Sequence, residues 1–171
     1  MSERALIELL YGKGTHANTL ACVQDAQFER AGRRADNSPH SIWQLVNHMN
    51  FWMAYELKRI GNEKPVYPAH ASESWPTNAA LLRKKNGKRL SPSSAVSLPS
   101  SRRWPTRHPI CLSEEVGATH PDHTKRSSSL LAVLWQTLVH NSYHIGQVAM
   151  LRPPSAHGHP KVAATLGRVS S

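Results

Sequence analysis

The feature that most limits the folds open to this chain is a pair of apolar stretches with helical period, residues 38–60 and 130–151, and before the second of them about fifty residues, from Thr77, in which the period fails. In the first, Ile42, Leu45, Val46, Met49, Trp52, Met53, Leu57 and Ile60 recur every three or four positions and make one wide apolar face. Ser38-Pro39 is the expected opening: a serine side chain accepts an amide hydrogen bond, and proline at the first helical position has no amide to satisfy. Gly61-Asn62 is the expected stop. In the second stretch Leu130, Leu134, Leu138, Val139, Ile145, Val148 and Leu151 keep a similar spacing, with no proline before Pro153. Arg4 to Arg30 reads as a further helical stretch, broken near Gly12-Lys13-Gly14 because glycine weakens a helix.

Histidines mark both of the clear helices. His140 and His144 are four residues apart, which on a helix brings two imidazoles to one face about one turn apart, a metal-ligand spacing. Two imidazoles leave a metal short of ligands, so a third has to come from elsewhere. His48 interrupts the apolar face of the first helix, where an imidazole has to be either hydrogen bonded or ligated. Both readings of His48 stay open on spacing alone. His16, His40 and Glu56 read as non-ligands, and His120 and His123 lack a helix or cysteine partner that would make them a site. Cys22 and Cys111 lie far apart, match neither a disulfide framework nor a zinc ribbon, and read as buried or incidental thiols without a role.

A chain of 171 residues can bury one domain core, and it contains no run of about 18 apolar residues and no cleavage-site pattern after Met1, so a soluble cytoplasmic protein is expected. The net charge of +10 is unevenly placed. Residues 1–75 hold eight basic and eight acidic side chains, and residues 76–171 hold thirteen against three. Eight of the basic ones fall between Arg83 and Arg107, with no acidic residue among them. Clustered cations of this kind neutralise phosphates, yet a local excess argues against a protein built for nucleic acid, and nucleic acid is not expected as a partner.

From Thr77 to about Ser129 the text is Ser/Pro-rich and basic, and no helix is convincing there. A reading-frame shift would explain it, with a natural insertion as the alternative: residues 84–99 can be encoded so that the frame one base earlier yields helix-compatible text, and residues 157–167 permit the same offset. Residues 78–128 and the tail 153–171 are therefore expected to be atypical beside a domain spanning 1–152. The nucleotide sequence decides the point.

Taken together, Gly12-Lys13-Gly14-Thr15-His16-Ala17, Ser41-Ile42-Trp43-Gln44-Leu45-Val46-Asn47-His48 and the block from Leu134-Trp135-Gln136 to His144-Ile145-Gly146-Gln147 resemble the DinB-like, damage-inducible (YfiT-like) family of bacterial metal-binding proteins. The resemblance implies an all-α four-helix bundle with a divalent metal, zinc or nickel, held by His48, His140 and His144. Three imidazoles leave a coordination position open, as catalytic zinc sites do. The resemblance further implies a small-molecule substrate, a homodimer, and a transferase or hydrolase working through metal-activated water or a low-molecular-weight thiol. Two other classes compete with it: a non-catalytic metal-binding stress protein, and a nucleic-acid binder acting through residues 83–107.

Overall fold

The computed structural model describes residues 31–36, 38–77 and 111–152, together with isolated positions 5, 8, 9, 14, 21 and 22. The basic segment 83–107, residues 84–99 and 157–167 and most of Arg4 to Arg30 lie outside the described residues. Ala5, Glu8, Leu9, Ala21 and Cys22 are helical within that last stretch.

The first long helix, α1, runs Ile42–Ile60 and begins later than Ser38-Pro39 would place it. Its cap is Ser41. The Ser41 hydroxyl accepts from the Gln44 amide at 3.2 Å while the Gln44 side chain accepts from the Ser41 amide at 3.1 Å, a reciprocal box that satisfies two amides with no partner inside the helix. Ser38 instead closes a local turn, donating its hydroxyl to the His40 carbonyl at 2.7 Å. At the other end Gly61 takes over as expected, its amide reaching Leu57 O at 2.9 Å.

The second long helix, α2, runs Leu130–Leu151 and is capped by Ser129, whose hydroxyl accepts from Ala132. Between the helices lie a short 3-10 turn, Ala71–Ser74, and an antiparallel hairpin of β1, Glu115–Thr119, and β2, Lys125–Ser129. This hairpin corrects the expected fold class. The described residues form a mixed arrangement of two long helices and a two-stranded sheet, not an all-α four-helix bundle, and part of the stretch without helical period is strand. The physical reason is local. Asp122 accepts from both the amide and the hydroxyl of Thr124 at 2.9 and 2.6 Å, and His123 adopts φ +63°, so five residues turn the chain back on itself. Val116 and Ala118 then alternate inward along β1.

Helices α1 and α2 pack antiparallel. Ile42, Leu45, Val46 and Met49 meet Ile145 and Val148 around buried Cys22 and Ala31, while Ile60 packs on Leu130 and Leu134 at the other end. Each aliphatic side chain buried this fully contributes about 1.5–3 kcal/mol. The hairpin is fastened to both helices. Carbonyls of Glu114 and Leu112 accept from the Leu130 and Leu131 amides at 2.8 and 2.9 Å, satisfying the start of α2, and Arg59 of α1 donates to Val116 O at 3.2 Å. Among the described residues no helix is long and apolar enough to cross a membrane.

Candidate metal centre

The antiparallel crossing of α1 and α2 brings together the three histidines singled out in the sequence. His48 projects from the middle of α1, and His140 and His144 project one turn apart from α2. One nitrogen from each ring lies within 4.8 Å of the others, an arrangement that could hold a metal ion. The Nε2 atoms of His48 and His140 are 3.1 Å apart. Two nitrogens bound at 2.0–2.1 Å to one tetrahedral ion are separated by about 3.3 Å, so the spacing fits a shared ion.

What holds each ring decides which nitrogen is free. Nδ1 of His144 lies 2.7 Å from Gln147 Oε1, and Gln147 directs its own amide to the Tyr143 hydroxyl at 3.3 Å. With its oxygen on that side, Gln147 can only accept, so Nδ1 carries the proton and Nε2 of His144 keeps its lone pair. Nδ1 of His140 has a longer contact, 3.5 Å, to Asn141 Oδ1. His48 is held by stacking. Trp75, just past the 3-10 turn, lies parallel to His48 at 3.8 Å between centroids and parallel to His40 at 3.7 Å on its other face. The Ser74 backbone comes close enough to favour a protonated His48 ring, yet Nδ1 of His48 makes no hydrogen bond of acceptable geometry.

All three rings favour the neutral form, which is the ligating one. Burial pushes the His48 pKa down to about 4, aided by repulsion from His144 and His140. Burial likewise lowers His140 and His144, against the opposing hydrogen bonds to Asn141 and Gln147. The donor set, its spacing and its protonation preference therefore all fit a divalent cation.

Several other sequence candidates take different places. His40 stacks on Trp75 and adds no nitrogen to the cluster. Glu56 makes no hydrogen bond to His48 and instead pairs with Arg59 at 3.0 Å. His120 stacks on Tyr67 in the hairpin turn, and Cys22 is buried in the core while Cys111 is exposed. Trp75, Gln147 and Asn141 were not singled out as site residues by sequence. Gln147 carried a usable signal, since three residues after His144 on a helix it shares that histidine's face. Trp75 carried none. No family model, curated protein or solved structure matches the chain.

Proposed function

We propose that this protein binds a divalent metal, zinc or nickel, through Nε2 of His48, His140 and His144, and that it is a metal-dependent transferase or hydrolase. The observation that carries the reading is the 3.1 Å approach of the His48 and His140 Nε2 atoms beside a His144 ring whose Nδ1 is already engaged by Gln147. Such an ion would supply Lewis acidity and make a water or a low-molecular-weight thiol a usable nucleophile near neutral pH. The protein's own groups hold the rings in their ligating form. Gln147 orients His144, and Trp75 fixes the plane of His48. His48 and His144 are buried while His140 is half-buried, so the open side of the centre lies toward His140. The resemblance of residues 41–48 and 134–147 to the DinB-like proteins supports the same three ligands.

Metal analysis of the purified full-length chain and of His144→Ala tests the reading. The expected result is about one equivalent of zinc or nickel in the parent and a large loss in the variant. Absence of stoichiometric metal in the parent, after incubation with either ion, ends the proposal.

A further inference from the structure

A cavity of about 290 Å³ opens beside the triad, lined at one end by His48 and His140 and at the other by Glu56 and Arg59. That size is at the lower limit of small-molecule sites, roughly 300 Å³. Between the two ends stand Trp52, one helical turn from each, and Tyr67, whose ring lies 5.3 Å from that of Trp52. Thr137 of α2 faces them across the cavity.

Among the described residues, the far end holds one buried donor without a partner, Arg59 Nε, and one open acceptor, Glu56 Oε1. Glu56 Oε2 accepts from Arg59 Nη1 at 3.0 Å, whereas Oε1 has no hydrogen bond among the described residues. Arg59 is 8% exposed and directs Nη2 to Val116 O, so its charge is held against β1 by a backbone carbonyl. The pair is neutral as a unit. An added cation would face Arg59 with no counter-charge, while a neutral hydroxyl can donate to the open Oε1 without adding charge. The near end has the opposite demand, because a divalent ion on three neutral imidazoles is cationic and accepts an anionic oxygen.

We infer that this cavity binds a small hydroxy-carboxylate, its carboxylate on the metal and its hydroxyl donating to Glu56 Oε1, with the intervening carbons against Trp52 and Tyr67. This rests on the metal-binding reading above. His48 and Glu56 are eight residues apart on α1, a rise of ~12 Å, and the inward reach of both side chains leaves room for a chain of about four to six carbons.

The test titrates the zinc-loaded full chain calorimetrically with 4-hydroxybutyrate, 6-hydroxyhexanoate, butyrate and hexanoate. At the better-fitting length the hydroxy acid is expected to bind about tenfold more tightly than its unsubstituted partner, the effect of one hydrogen bond to a charged group. The double variant Glu56→Leu/Arg59→Met removes both charges together, so no buried ion is left unpaired, and it should abolish that preference without changing zinc content. No preference at either length, or a preference that persists in the double variant, overturns the inference while leaving the metal reading intact. If the double variant does not fold, Thr137→Leu decides instead by filling the cavity: unchanged affinity for the hydroxy acid overturns the inference. A parent that retains no zinc overturns both readings at once.

Discussion

Gln147 accepts a 2.7 Å hydrogen bond from Nδ1 of His144, and through it the last turns of α2 choose which imidazole nitrogen faces His48 and His140. Without that acceptor the ring could hold its proton on either nitrogen or rotate. Gln147→Leu should therefore weaken zinc binding by about 10–100-fold, the usual cost of losing a partner that orients a ligating histidine. Competition with a chromophoric chelator measures it, with far-ultraviolet circular dichroism as the control for folding. Unchanged affinity would mean that packing alone sets the ring.

The metal-free protein should lose stability in mild acid. His48 has a folded pKa of about 4, and His140 and His144 are also lowered, whereas an unfolded histidine titrates near ~6.5. Between those values the unfolded chain binds more protons, so stability rises with pH, is fully present above about pH 6.5, and is lost progressively as pH falls toward 4. His48 alone accounts for up to ~3 kcal/mol of this change. Urea midpoints at pH 7.5 and 5.0 in the presence of chelator measure the effect, and equal midpoints would contradict it.

Trp75 is stacked between His40 and His48 and packs on the edge of the core that holds Leu45 and Val148. Trp75→Ala should cost ~2 kcal/mol, less than for a fully buried tryptophan because Trp75 is only half buried. Because its ring faces a proposed ligand, zinc should alter tryptophan emission in the parent, and Trp75→Phe should remove the larger share of that change. Full retention of the signal in Trp75→Phe would assign it elsewhere.

The sequence pointed to Ser38 for the start of α1, but it is Ser41 that makes the capping box. Ser41→Ala should destabilise the protein by ~1 kcal/mol. Ser38→Ala should stay within ~0.5 kcal/mol, as for other surface substitutions. Thermal denaturation of the two variants gives the comparison, and equal losses would show that the cap is shared.

The two long helices were legible in the sequence because each repeats apolar residues at helical spacing over five turns or more, and local spacing is what periodicity reports. The hairpin was not. Its strands are five residues each, and proline, serine and basic residues in the surrounding stretch hid the turn chemistry of Asp122 and Thr124. Nor could periodicity orient α2, whose 22 residues include no charged side chain. Val139 belongs to the apolar pattern yet is 51% exposed, and Trp135 and Tyr143 also face outward, while Val133 and Leu138 are buried.

By itself the sequence determined that His140 and His144 share a helix face and that His48 interrupts an apolar one, because a 3.6-residue turn converts spacing directly into direction. Only the tertiary structure decided that those faces meet, since His48 and His140 are 92 positions apart and no local rule relates them. It also decided that Trp75 would clamp His48 and that the Glu56–Arg59 pair would close the far end of the cavity against β1. Those relationships depend on how α1, α2 and the hairpin pack. Packing is settled by the summed burial of many side chains from distant parts of the chain, which the spacing within any one segment does not encode.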